Sequence, residues 1–154
     1  MRRLAVLLAT GFGLGLSPVA SGTVGCLLGV GIAAVLLPLS LLAQIGLAVV
    51  LTLAAIPICD VAEKHFGKKD DGRIVADEYL TFPICVLGLP WVDHPWLLAV
   101  AFVVNRVLDI LKPAPARQAQ ALKGGLGIVM DDAISSLYAL AINHAVWLIA
   151  RCMV

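Results

Sequence analysis

The residues most capable of chemistry stand between Gly67 and Glu78, in the run GKKDDGRIVADE, where Asp70, Asp71, Asp77 and Glu78 sit among Lys68, Lys69 and Arg73. An acid buried without a partner costs on the order of several kcal/mol, so an apolar chain that keeps such a cluster is expected to use it on a cation or on proton transfer. Two later segments carry matching groups. Arg106, Asp109 and Lys112 are spaced at intervals of three, which puts them on adjacent turns of one helix face, and Asp131-Asp132 follow the glycine run Gly124, Gly125 and Gly127. Carboxylates as the main polar side chains, with no histidine cluster and no paired thiols, suit a hard divalent ion such as Mg2+. Arg106, Lys112 and Lys123 could balance the charge of a phosphate that such an ion would bridge. Taken pair by pair, these charges could equally be solvated ion pairs worth little energetically. It is their number in so apolar a chain that argues for a site.

The elements that must position these groups are helical and oily. The chain of 154 residues is 61% hydrophobic and 14% charged, with a mean hydropathy of +1.01, against roughly 45–50% and about 25% in soluble domains. One domain over 1–154, all-α and embedded in a membrane, is expected. A net charge of +1 leaves no electrostatic footprint for nucleic acid. Cys26, Cys59, Cys85 and Cys152 are far apart and read as small apolar fillers.

The N-terminus, with Arg2 and Arg3 before an apolar run, has some features of a signal peptide, but Gly11, Gly13 and Gly15 break the run and no clear A-x-A site follows. The uncharged stretch from Thr23 to Cys59 is too long for one span of about 20 residues, and Pro38 and Ser40 offer a turn, so a helical hairpin over 23–38 and 41–58 is expected. A polar helix from Asp60 follows and ends near Gly67. Further spans are expected at 79–90, 95–111 and 133–150, with Pro113 and Pro115 ending the fourth. If these five alternate across the bilayer, ten of the eleven Lys and Arg residues share one face, only Arg151 lying opposite, and the positive-inside rule names that face cytoplasmic. Nine of the ten acids share it too, Asp93 being the exception. The rule does not require that, whereas a reaction site facing the cytoplasm does.

Gly11, Gly13, Gly15, Gly22 and Gly25 could bring backbone N–H groups close to a phosphate, although the pattern is not a nucleotide loop; packing of small residues between membrane helices is an equally good reading. Gly124, Gly125 and Gly127 read as a turn that places Asp131 and Asp132 at a helix start. His144, inside the last span, is expected to make a hydrogen bond between helices.

Four blocks, GFGLGLSPVASGTVG, DDGRIVADE, NRVLDILKPAP and KGGLGIVMDD, in this order and spread over about residues 9 to 135, strongly resemble the phosphatidylglycerophosphatase A family. The resemblance implies an all-helical, Mg2+-dependent lipid phosphatase of the bacterial inner membrane that removes the terminal phosphate of phosphatidylglycerophosphate. It places the family's acidic block on Asp70, Ile74, Val75, Asp77 and Glu78, its basic block on Arg106, Asp109, Lys112, Pro113 and Pro115, and its double aspartate on Asp131 and Asp132. The N-terminal block matches at Gly11, Gly13, Ser17, Pro18, Gly22, Thr23 and Gly25. Ser21, Cys26, Thr81, Ile134 and Ser135 depart from the family's usual residues, which touches backbone shape rather than charge.

The resemblance leads to a catalytic set of Asp70, Asp77, Glu78, Asp109, Asp131 and Asp132. Within it Asp77, Glu78, Asp131 and Asp132 are expected to hold Mg2+, and Arg106, Lys112, Lys123 and Thr23 to bind the phosphate. A metal-activated water or a carboxylate could be the nucleophile. The competing class is a non-catalytic transporter subunit or scaffold whose charges are interfacial anchors. A phospholipid synthase acting on a CDP-lipid fits less well, because Asp71-Gly72-Arg73-Ile74 lacks that family's Ala-Arg. Replacing Glu78 or Asp131 by Ala should abolish release of phosphate from lipid while the protein still folds. Replacing His94, on the opposite face, should do little in the same assay.

Overall fold

The uncharged stretch after the glycine-rich N-terminal block folds as the expected hairpin, but with different ends. In the computed structural model, which describes residues 2–153, α1 (Arg2–Ala9) leads through a tight turn into α2 (Ser21–Leu36), and α3 (Leu41–Phe66) returns beside it. Ser40 caps α3 by accepting from the Ala43 N–H at 3.4 Å, and the Gln44 amide locks the turn by donating to the carbonyls of Leu37 and Leu39. The helix runs straight through Pro57 and takes in the polar stretch expected as a separate helix, ending at Gly67 in the left-handed conformation. Neighbouring helices tolerate the single donor that proline removes.

The segment expected as a span over 79–90 is instead α4 (Ala76–Thr81), continued by a 3-10 turn over Phe82–Val86. All of these residues except Glu78 are buried, so the segment forms the centre of the bundle rather than a lipid-facing helix. α2, α3 and α7 all pack against it. α5 (Trp96–Leu111) agrees with the expected fourth span, α6 (Ala116–Ala119) is a single turn, and α7 (Gly125–Cys152) begins eight residues earlier than expected. Asp131 and Asp132 therefore lie two turns inside α7, not at its start. Gly125 permits this: a Cβ there would strike the Ile56 carbonyl on α3, so the glycine run is the crossing point of two helices rather than a loop.

Small residues set the spacing throughout. Ala55, Cys59, Ala62, Val75, Tyr79 and Val129 form one core cluster, and Cys26, Phe82, Cys85, Ala101 and Ala139 form another. Cys26, Cys59 and Cys85 are the buried fillers expected; Cys152 is exposed. Several polar side chains bond across elements: Ser136 donates to Asn105 at 3.0 Å, Asn143 donates to the Cys85 carbonyl at 2.9 Å, and a ring nitrogen of the partly buried His144 lies 2.9 Å from the Leu87 carbonyl.

Among the described residues two helices, α3 and α7, are long and apolar enough to cross a membrane, at about 39 and 42 Å by their rise per residue. That is fewer than the five spans expected, because the central segment is short and α2 and α5 have sixteen residues each. Only 11% and 28% of their most apolar windows are buried, unlike the core helices of a soluble protein. Leu42, Val49, Val50 and Leu53 on α3, with Leu137, Leu148 and Ile149 on α7, face outward.

Gly29 and Gly31 on α2 give a direct test of the packing. A Cβ at Gly29 would lie 2.5 Å from that of buried Phe82, whereas one at Gly31 meets nothing within 4 Å. In denaturation of detergent-solubilised protein, Gly29→Ala should lose about 1–3 kcal/mol despite the better helix former, and Gly31→Ala should lose nothing.

Candidate active site

The charged residues of three segments meet at one end of the bundle because α5 and α7 run antiparallel there. The end of α5 brings Arg106, Asp109 and Lys112 against the second turn of α7, while His94 and Trp96 meet Trp147 and Arg151 at the far end. α4 points its first turn, with Asp77 and Glu78, into the same region, and helix dipoles favour acids there and a base at the end of α5. The result is a polar cleft of about 420 Å3 lined by Asp70, Asp77, Glu78, Asp109 and Asp132 with Arg106 and Lys112. Ala20, Ser21 and Gly22 at the start of α2 form its other wall.

Arg106 is the hub. Its Nη1 lies 2.9 Å from Glu78 Oε2 and donates to Asp109 Oδ2 at 2.9 Å, with all three side chains largely buried. Glu78 is admitted by Gly22, where any Cβ would strike its carboxylate. Asp77 is 5% exposed, and its Oδ1 has no hydrogen-bond partner. Burial, reinforced by the neighbouring charges of Glu78, Asp70 and Asp109, pushes the Asp77 carboxyl well above the ordinary aspartate range. Glu78 rises to about 7 through burial, although Arg106 acts in the opposite direction.

A second pair stands beside the first. Lys112, in a left-handed conformation at the end of α5, is ion-paired with Asp131, which is 1% exposed, and lies 3.8 Å from Asp70. Asp70 also accepts from Gln120 at 2.7 Å. Asp131 Oδ1 accepts the Asp132 N–H at 3.1 Å, so both its oxygens are engaged and it does not line the cleft. Asp132, one residue on, does.

Of the residues expected in the site, Asp70, Asp77, Glu78, Asp109, Asp132, Arg106 and Lys112 come together. Lys123 is exposed and outside the cleft, since the chain turns away there before α7 begins. Thr23 lies on α2 one position past the residues that face the cleft, and Ser21, which donates to the Gly72 carbonyl at 2.7 Å, stands in the wall instead. Asp71, from the same acidic run, is buried outside the cleft lining: Arg73 grips it with two bonds, at 2.7 and 3.0 Å, and stacks on Phe66. Gln120 escaped sequence reasoning because nothing in its surroundings marks it. Asn105, a lone amide in an apolar helix, carried a readable signal for an interhelical bond.

The donor set fits a hard divalent cation: the acidic side chains offer oxygen only, Asp77 has a buried oxygen without a partner, and Asp109 and Asp132 line the same cleft. Among the described residues no three acids already converge as a ready ligand group. Arg106 draws Glu78 and Asp109 to itself instead.

The raised carboxyl of Glu78 has a measurable consequence. The folded protein keeps that proton to about pH 7, whereas the unfolded chain loses it near 4.5. The folded state therefore binds more protons between those values, and stability falls as pH rises through the window. Unfolding measured with chelator present should show this decline from pH 5 to 7.5, and Glu78→Gln should make it shallower, with the raised Asp77 carboxyl keeping part of the slope.

The family model described as Phosphatidylglycerophosphatase A matches residues 7–147. A protein of Bacteroides thetaiotaomicron named putative phosphatidylinositol-3-phosphatase is 39% identical over 153 residues, covering 95% of this chain and 96% of its own. Phosphatidylglycerophosphatase A of Escherichia coli is 34% identical over 90% of this chain and 80% of its own, and that of Haemophilus influenzae 35% over 91% and 86%. No solved structure matches. The chain belongs to the phosphatidylglycerophosphatase A family, and with it to the phosphatases.

Proposed function

We propose that the protein hydrolyses phosphatidylglycerophosphate to phosphatidylglycerol and phosphate, with Mg2+, at the cytoplasmic face of a bacterial inner membrane. The observation that carries this reading is the cleft itself: five acids and two bases gathered at one end of an otherwise apolar bundle, with Asp77 left unpartnered. Ten of the eleven Lys and Arg residues belong to the segments at that end, which favours its lying in the cytoplasm.

Asp77 and Asp132 would hold Mg2+, with Asp109 and Glu78 beside them. Asp131 is reassigned from metal ligand to the partner that holds Lys112. When bound, the ion supplies charge stabilisation at the phosphoryl oxygens and an acidified water. Arg106 and Lys112 bind the phosphate and offset the charge that develops as the bond to the leaving oxygen breaks. Glu78 Oε1, the oxygen not paired with Arg106, takes the proton from the attacking water.

The name of the Bacteroides relative points to a different headgroup, and both names describe removal of a phosphate from a phospholipid. Purified protein in detergent should release phosphate from phosphatidylglycerophosphate when Mg2+ is added and stop with chelator, and should act less on phosphatidylinositol 3-phosphate. Asp77→Asn should lower kcat by about a hundredfold or more while the protein stays folded. Release that ignores both Mg2+ and this substitution would defeat the reading, and no release at all would favour the scaffold class.

A further inference from the structure

The mouth of the cleft is amphiphilic. Ile110 lines the cleft and is also 71% exposed, so it stands on the boundary between the polar site and the outside. Behind it on α5, Val103, Val107 and Leu111 are exposed as well, at the spacing of one helix face. This aliphatic stripe runs along α5 and ends at the cleft. On the opposite lip Ala20 and Ser21 line the cleft, and the turn before them exposes Leu14, Leu16 and Val19. Arg106 and Lys112 stand just inside.

We infer that this mouth is a lateral portal for a diacyl phospholipid, whose phosphorylated headgroup meets Arg106 and Lys112 while its acyl chains stay outside along Val103, Val107 and Ile110. The inference rests on the lipid phosphatase reading and adds where the lipid sits. Charge complementarity fixes the orientation, because Arg106 and Lys112 line the cleft while Ile110 on one lip and Leu14, Leu16 and Val19 on the other are exposed aliphatic residues. A lipid held this way keeps its chains in the bilayer, so no apolar surface is moved into water to reach the site. It also accounts for Ile110, an exposed aliphatic residue one turn from Arg106 that the chemistry does not use.

The test uses full-length protein in phosphatidylethanolamine vesicles with a non-hydrolysable phosphonate analogue of phosphatidylglycerophosphate that carries a diazirine on one acyl chain. Label should map to Val103, Val107, Ile110 and the 14–19 turn, and unlabelled substrate should compete it away. The same diazirine on phosphatidylcholine should label the outward faces of α3 and α7 as well, without competition. An even spread of the substrate label, or cross-links between two copies of the chain at the stripe, overturns the portal. In kinetics, Ile110→Gln should raise KM for the diacyl substrate roughly tenfold without lowering kcat, and should change KM far less for a dihexanoyl analogue in solution. Equal effects on both substrates, or none, also overturn it. Phosphate release by the wild type separates the two failures: if it occurs and the label is spread evenly, only the portal falls. If it does not occur with either substrate, the phosphatase reading falls and the portal with it.

Discussion

The guanidinium of Arg106 is the contact on which the site depends. Five carboxylates in one cleft of an apolar protein repel one another and have lost most of their water, and each would otherwise be neutralised or expelled. A planar group with several donors can serve two of them at once, and Arg106 does so for Glu78 and Asp109. Lys112 performs a narrower task as a point charge between Asp131 and Asp70. Asp77 is buried beside them with an oxygen that accepts no hydrogen bond.

The rest of the fold can be understood as the means of bringing those charges to one place at tolerable cost. α4 is too short to matter for stability on its own, yet it carries Asp77 and Glu78 into the centre of the bundle on a helix start. To reach that position it needs α2 to come very close. Gly22 leaves room for the Glu78 carboxylate, and Gly25 sits where a Cβ would lie 2.5 Å from that of Val75. The Ala9 carbonyl accepts the Val75 N–H at 2.8 Å, and the Tyr79 hydroxyl donates to the Leu8 carbonyl at 2.9 Å. The N-terminal segment is thereby tied directly to the acid-bearing loop, so its glycines act through backbone approach rather than by presenting a nucleotide-type loop.

Much of the cleft's polar lining was legible in the sequence because charge is conspicuous against so apolar a background: Asp70, Asp77, Glu78, Arg106, Asp109, Lys112 and Asp132 all come to it. The errors are of one physical kind. Neighbouring residues on a helix point about 100° apart, so Asp131 and Asp132 look equivalent in sequence while one grips Lys112 and the other faces the cleft. Thr23 and Gly22 differ in the same way at the start of α2. Helix ends were less legible than helix existence. Pro57, Gly125 and Gly127 are breakers by local propensity, yet all three lie inside helices, held there by tertiary packing. The five expected spans became two long ones for a related reason: apolar composition does not distinguish a helix that faces lipid from a central segment such as 76–86, buried on all sides by its neighbours.

An unsatisfied buried acid also couples stability to function. The ligand-free protein carries the cost of Asp77 and of the crowded carboxylates around it, and any cation that binds the folded state but not the unfolded chain offsets that cost in proportion to its occupancy. Substitutions that neutralise the cluster are therefore expected to steady the fold while removing the reason for it, the usual tension at a site held in an unfavourable state. Ion pairs such as Asp71–Arg73, bidentate and stacked on Phe66 outside the cleft, show what the chain does with an acid it needs only for shape. Asp71, paired twice with Arg73, and Asp77, six residues on with an unpartnered oxygen, show two opposite treatments of an acid in one short stretch of sequence.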